Sequence, residues 1–326
     1  MIAIEISSFG GPDVLRPVER PKPVAKEGEV VIRVQAAGVS RADLMQRQGK
    51  YPPPPGASDI PGLDLAGFID SVGPGVTDYK PGDAVCAIVA GGAYAEFCAA
   101  PVVQVLPVPQ GWTAVEAATL PENLFTVYDN LITRAGLQPG ESVLIHGGAS
   151  GIGSMAIMLS RAWGAIPFAT AGTQAKCDAC RQLGAQEAIN YKESDFVAEI
   201  KRLTCGHGAD VIADLVGGSY LDRNLDALAT EGRLAIIATQ GGRTGQLDIP
   251  KLMIKRGRVL GSTMRARTPE MKGEIARTLL RHVWPRLPAK DPIRPVIDST
   301  FPLTEARLAH ERLEKGGHVG KVMLVV

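Results

Sequence analysis

Ser142-Val-Leu-Ile-His-Gly-Gly-Ala-Ser-Gly-Ile-Gly153 decides how the middle of this chain folds. A short apolar run, Val143–His146, ends in a glycine-rich turn. The turn leads straight into Ser154-Met-Ala-Ile-Met-Leu-Ser-Arg-Ala-Trp163, whose apolar residues recur at helical spacing. Strand, tight glycine turn and helix together form a cradle for a dinucleotide pyrophosphate. Glycines let the backbone approach the phosphates, and N–H groups at the helix N-terminus face the negative charge. The turn reads Gly148-Ala-Ser-Gly-Ile-Gly153, so Ser150 stands where the G-x-G-x-x-G pattern has its second glycine. Ala149, Ser150, Gly151, Ile152 and Gly153 are the expected pyrophosphate contacts.

Outward from this turn the pattern repeats. Apolar runs at 166–171, 188–190, 211–215, 234–238 and 259–262 read as strands. Helical spacing at 154–163, 174–183, 195–204 and 219–229 fills most of the intervals. That alternation predicts a doubly wound parallel sheet of Rossmann type over about 121–265. Before it, residues 1–120 read as short strands broken by glycines, with Val30–Ala36 the clearest and Pro52–Pro55 a stiff loop. This part is expected to be a β-barrel-like domain. Residues 266–326 return to helix and then to the apolar strand Lys321-Val-Met-Leu-Val-Val326, which is expected to pair back into the first domain.

The end of the second strand bears on the choice between NAD and NADP. An NAD site usually carries an acid about 20 residues beyond the turn, bonded to the ribose 2′-hydroxyl. Here Ala171 is followed by Gly172-Thr-Gln-Ala-Lys176, with no carboxylate to repel a 2′-phosphate. Gly172 leaves room, Thr173 supplies a hydroxyl and an N–H, and Lys176 supplies charge, although a lysine there also suits a solvated helix face. Tyr191, after the third strand, could complete the pocket. The pattern favours NADPH.

Bulk composition narrows the function classes. The chain has 326 residues, 35 basic against 34 acidic, and 45% hydrophobic content. Near-neutral charge argues against a nucleic-acid or membrane-surface footprint. No run of about 18 apolar residues suggests a membrane span. The N-terminus lacks the basic and apolar regions of a secretory signal. Five scattered cysteines suit a reducing cytoplasm better than a disulfide framework. Cys177 and Cys180 share a helix with no second pair, and the five histidines form no ligand-spaced cluster.

Ala36-Ala-Gly-Val-Ser-Arg-Ala-Asp43, Pro61-Gly-Leu-Asp-Leu-Ala-Gly67, Gly82-Asp-Ala-Val85 and the glycine turn resemble, in order and spacing, the medium-chain dehydrogenase/reductase superfamily. The resemblance spans nearly the whole chain. It implies a GroES-like catalytic domain, closed by the C-terminal tail, joined to a Rossmann domain. Zinc-dependent members carry a cysteine where this chain has Ser40, and a histidine–glutamate pair where it has Leu63 and Asp64. No cysteine lies between Cys98 and Cys177 to supply a third ligand, and the four-cysteine lobe is missing. No metal is expected.

Ser40–Tyr51, with Pro53-Pro-Pro-Gly-Ala-Ser58, Ile189-Asn-Tyr-Lys192 and Gly217-Gly-Ser-Tyr220, resembles the quinone oxidoreductase branch, its tumour-suppressor-inducible and bacterial members above all. That likeness implies NADPH, a homodimer and reduction of quinones, ortho-quinones especially. Tyr51 is the expected catalytic residue, positioning the acceptor or donating a proton to it. Ser40 and Asn123 are expected substrate contacts, although many relatives carry Asn at the position of Ser40. Thr126 and Lys321 match the family's cofactor contacts, although a lysine ahead of a strand also suits a surface. Two other activities stay open: reduction of an α,β-unsaturated ketone or aldehyde, and NADPH binding with weak catalysis, as lens-type relatives suggest. The edge strand near Val259–Ser262 would be covered by a second copy in a dimer.

Overall fold

The computed structural model describes residues 1–326. Seven strands come first: β1 (Ile2–Ile6), β2 (Leu15–Glu19), β3 (Glu29–Val39), β4 (Asp64–Val72), β5 (Ala84–Ile88), β6 (Phe97–Pro101) and β7 (Val105–Pro107). Six alternate with helices: β8 (Ser142–Ile145), β9 (Ile166–Ala171), β10 (Glu187–Asn190), β11 (Ala209–Asp214), β12 (Leu228–Ile236) and β13 (Arg258–Gly261). β14 (Ile297–Pro302) and β15 (Lys321–Val325) close the chain. The structure divides into two units. One holds Met1–Phe125, Met264–Lys290 and Pro295–Val326; the other holds Thr126–Thr263 and Asp291–Arg294.

The first unit is built on a seven-stranded sheet in the order β14-β15-β3-β4-β5-β7, with β6 also paired to β3. β15 runs antiparallel to β3, setting Val322 opposite Val39 and Leu324 opposite Ala37. The apolar final strand therefore lies inside this sheet, between β14 and β3. Its core joins Ile32, Leu65 and Val85 to Val322 and Leu324 from the tail. Trp284 donates to the Pro107 carbonyl at 2.9 Å and Trp112 to the Leu287 carbonyl at 2.9 Å, tying the returning segment to the N-terminal strands.

The second unit is a six-stranded sheet, all parallel, in the order β10-β9-β8-β11-β12-β13. The strand order reverses beside β8, which creates the crevice where doubly wound folds bind ligands. Leu144, Phe168, Ile212 and Leu234 fill the core beneath the helices.

Several boundaries differ from the sequence reading. The helix after β8 spans Gly151–Ala162 and takes in both glycines, because Ser150 caps it. The following helices, Gln174–Gln182 and Phe196–Leu203, begin behind Thr173 and Asp195 caps. β12 begins at Leu228, six residues before the expected start, and the preceding helix is only Leu221–Ala227. Thr230-Glu231-Gly232 interrupts the apolar pattern yet lies within the strand. Glu231 adopts φ 63° there, and the pairing with β11 shifts register.

Candidate active site

In the second unit, the expected cofactor residues of the glycine turn, with Gly172, Thr173, Lys176 and Tyr191, follow the C-terminal ends of β8, β9 and β10. Ser150 Oγ accepts from the Gly153 amide at 3.0 Å and donates to the Gly147 carbonyl at 2.8 Å. The serine thus closes the turn with its side chain. The amides of Gly151 and Ile152 open the helix, where an α-helix has no carbonyl of its own to offer them. A Cβ on Gly153 would overlap the Gly147 carbonyl oxygen, so helix and turn can pack this closely only with glycine there. Ala149 is buried beside them. These features fit a pyrophosphate held on backbone N–H groups.

At the end of β9, Thr173 caps the next helix by accepting from the Lys176 amide at 3.3 Å. Lys176 therefore stands in the first turn, where an anion also meets the positive end of the helix dipole. Tyr191 follows β10 and is 44% exposed. A Cβ added to Gly172 would meet its hydroxyl oxygen at 2.6 Å. Thr126 is partly buried on the helix Pro121–Val127, and its carbonyl accepts from the Asn130 amide at 2.9 Å.

In the first unit lie Ser40, Tyr51, Asn123 and Lys321, of which Lys321 is part of a charged cluster. Ser40 follows β3 and caps the helix Arg41–Arg47. Its hydroxyl donates to Asp43 Oδ2 at 2.9 Å, and its amide donates to the same oxygen at 2.7 Å. Asn123 is buried, and its amide donates to the Thr119 carbonyl at 3.0 Å. Lys321 is buried, with its ammonium against Asp64 Oδ2 and 3.0 Å from Glu122 Oε2. The two carboxylates hold that lysine above its ordinary pKa against the opposing effect of burial. Burial pushes Asp64 upward, opposed mainly by Lys321.

Tyr51 lies over the guanidinium of Arg265, 5.4 Å from ring centre to Cζ. Arg265 donates to the Tyr51 carbonyl at 3.2 Å, to Gln46 Oε1 at 2.7 Å and to the Ala90 carbonyl at 2.8 Å. Burial raises the Tyr51 phenol above its usual value, and Arg265 opposes this. The hydroxyl keeps its proton at neutral pH and can donate it to an acceptor oxygen.

Residues 26–110 match the alcohol dehydrogenase GroES-like domain, and residues 151–280 match the zinc-binding dehydrogenase family. The chain is 32% identical to human quinone oxidoreductase, an alignment covering 100% of this chain and 98% of that one. The chain belongs to the zinc-free quinone oxidoreductase branch of the medium-chain dehydrogenase/reductase superfamily. Escherichia coli quinone oxidoreductase, solved in complex with NADPH, superposes with TM-score 0.85 at 29% identity over 100% of both chains. A mycobacterial protein solved with NADPH gives TM-score 0.88 at 31% identity, again over 100% of both.

For a member of this branch, the positions of the zinc ligands are informative. The Ser40 hydroxyl donates a hydrogen bond to Asp43, Leu63 has no ligand atom, and Asp64 is paired with Lys321. No group of three His, Cys, Asp or Glu side chains is arranged to hold a metal ion. Cys177 and Cys180 are both buried and unpaired.

The sequence reading missed Asp43, Glu122 and Arg265. Ser40-Arg-Ala-Asp43 has the spacing of a capping box and could have flagged Asp43. Arg265 carries no local signal, since its partners lie some 175 to 219 residues away. His146, just before the glycine turn, was also unassigned. It is buried between Thr170 Oγ1 at 3.1 Å and Asn224 Oδ1 at 2.7 Å, joining β8, β9 and the helix Leu221–Ala227. Burial lowers its pKa to about 4, so the ring is neutral.

Proposed function

We propose that this chain is an NADPH-dependent oxidoreductase that reduces quinones, ortho-quinones in particular, without zinc. The observation that carries the cofactor choice is the end of β9. Gly172 lies beneath the Tyr191 hydroxyl, Thr173 and Lys176 open the next helix, and no carboxylate is present there. NADPH-bound relatives of the same fold, and the human relative's name, quinone oxidoreductase, support the reading.

Bound NADPH would supply the hydride. Ala149–Gly153 would hold the pyrophosphate on backbone amides, while Thr173, Lys176 and Tyr191 would hold the 2′-phosphate. Thr126 and Lys321 are assigned as further cofactor contacts. Two donor sites on the Lys321 ammonium are already spent on Asp64 and Glu122, which leaves one of three. Ser40, Tyr51 and Asn123 are assigned to the acceptor. A quinone is a strong electrophile, so orienting it and protonating its oxygen is most of what these side chains need to do.

We also assign a homodimer and a cytoplasmic location. β13 is an edge strand, and Ile249, Met253, Ile254 and Val259 near it are exposed. The five cysteines are free, as a reducing compartment keeps them, and no helix is long and apolar enough to cross a membrane.

The test is NADPH oxidation by purified protein with 1,2-naphthoquinone, with an enone, and with no acceptor. Quinone turnover well above the other two is expected. Faster turnover of the enone would move the assignment to that substrate class. Tight NADPH binding with no turnover would leave a binding protein, and a preference for NADH would overturn the cofactor assignment.

A further inference from the structure

We infer that Asp43 stores a proton and passes it, through the hydroxyl of Ser40, to the acceptor oxygen after hydride transfer. The inference rests on a quinone being the acceptor. It begins with a hydrogen-bond chain whose direction the chemistry settles. Arg47 Nη1 lies 3.2 Å from His310 Nδ1, and an arginine can only donate, so Nδ1 accepts. The ring is neutral, since burial lowers its pKa to about 3, and its proton is therefore on Nε2. Nε2 donates to the Tyr94 oxygen at 3.1 Å, and Tyr94 donates onward to Asp43 Oδ2 at 3.4 Å.

On that side the chain is closed to proton exchange. Arg47 occupies the nitrogen at which a proton would have to enter. The remaining partners of Asp43 are the amide of Gly62, which donates to Oδ1 at 3.0 Å, and the amide and hydroxyl of Ser40. Only the hydroxyl can hand a proton on. Ser40 is therefore the one route in and out of a carboxyl group that is itself fully buried.

Both charge states of Asp43 suit the pocket. As an anion it has four donors: the Ser40 amide and hydroxyl, the Gly62 amide and the Tyr94 hydroxyl. As an acid it is relieved of burial and of repulsion from Glu122 and Asp64. Burial is the largest cause of a pKa raised to about 6, followed by the charge of Glu122. Arg265 opposes this from its place beside Tyr51, and Lys321 is committed to Asp64 and Glu122. Tyr94 and His310, the other titratable neighbours, are neutral.

The step balances. Hydride addition leaves a hydroquinone anion. Its oxygen takes the Ser40 hydroxyl proton while Ser40 takes the Asp43 proton, leaving Asp43 as the anion held by four donors. Water recharges Asp43 through Ser40 once the product has left.

The test compares wild type with Ser40→Ala, Ser40→Thr and Asp43→Asn, using 1,2-naphthoquinone and NADPH across pH in H2O and D2O. In the wild type, kcat is expected to fall as pH rises past about 6, with a solvent isotope effect. Ser40→Ala keeps the backbone donor to Asp43. It is expected to lose roughly 10²-fold in kcat, along with the pH limb and the isotope effect. Ser40→Thr should restore all three. Infrared titration of protein without cofactor supplies a readout besides activity. A protonated carboxyl band that disappears near pH 6 and is absent from Asp43→Asn supports the store, and its absence from the wild type overturns it. Wild-type turnover that Ser40→Ala leaves unchanged, in rate and pH profile, overturns the relay alone. A wild type inert toward quinones overturns the functional reading and the relay with it.

Discussion

The hydroxyl of Tyr191 lies over Gly172, so close that a single added methyl carbon would sit 2.6 Å from it. The lack of an acid at the end of β9 thus has a steric side as well as an electrostatic one. An aspartate at 172 would have to displace Tyr191 as well as repel a 2′-phosphate. Tyr191 is 44% exposed and can swing away, so Gly172→Ala is expected to cost little stability. It should weaken NADPH binding roughly tenfold through loss of the tyrosine contact. Calorimetric titration alongside a melting curve checks both, and NADPH affinity equal to wild type would remove Tyr191 from the site.

Tyr51 is expected to act through its hydroxyl. Arg265 and the neighbouring backbone hold the segment, so Tyr51→Phe should leave the ring in place. A drop of about tenfold in kcat/KM for 1,2-naphthoquinone follows if the hydroxyl bonds the acceptor. Unchanged kinetics in a folded variant would restrict Tyr51 to packing.

Lys321 is the buried counter-ion of Asp64. Lys321→Met should destabilise the chain by about 3–5 kcal/mol, since it strands a buried carboxylate. Adding Asp64→Leu removes the stranded charge and should recover much of the loss. Denaturant melts of the single and double variants decide this. A double variant no more stable than the single one would mean that the lysine acts chiefly through Glu122 or packing.

His310 makes stability depend on pH. Its pKa falls from 6.5 in the unfolded chain to about 3 in the fold, so below 6.5 the unfolded state binds the extra proton. The contribution is complete above pH 6.5 and fades as pH falls toward 3. Between pH 6.5 and about 4.5 the loss amounts to about 2 kcal/mol. His310→Gln, which can still accept from Arg47 and donate to Tyr94, should lack this dependence. Parallel unfolding slopes for the two proteins across that range would refute the neutral assignment.

The edge strand β13 is expected to be covered by a second copy. Val259→Lys should shift the mass measured by light scattering from dimer to monomer, because like charges would face each other across a two-fold axis. A wild-type monomer at micromolar concentration would overturn the dimer itself.

Much of this architecture could be read along the chain. Val143-Leu-Ile followed by paired glycines allowed one local outcome, and Ile166–Ala171 appears as a strand with the bounds expected of it. Such features depend on neighbours a few residues apart, where apolar spacing and glycine conformations act directly on the backbone. The bare Ala171–Thr173 corner was legible for the same reason. The extent of β12 was not, because the bulge at Glu231 is held by pairing with β11 rather than by local preference.

The charged cluster could not be read that way. Arg47 meets His310 across 263 residues, and Lys321 meets Asp64 across 257. Nothing in the spacing of these residues names their partners. A buried charge takes whichever opposite charge or donor the folded strands bring within reach, since leaving it unmatched costs several kcal/mol. The order of residues along the chain was enough to specify the dinucleotide cradle. Which carboxylate answers Lys321, and that Ser40 opens onto Asp43, were decided when β15 paired with β3 and the helix carrying His310 packed against the same unit.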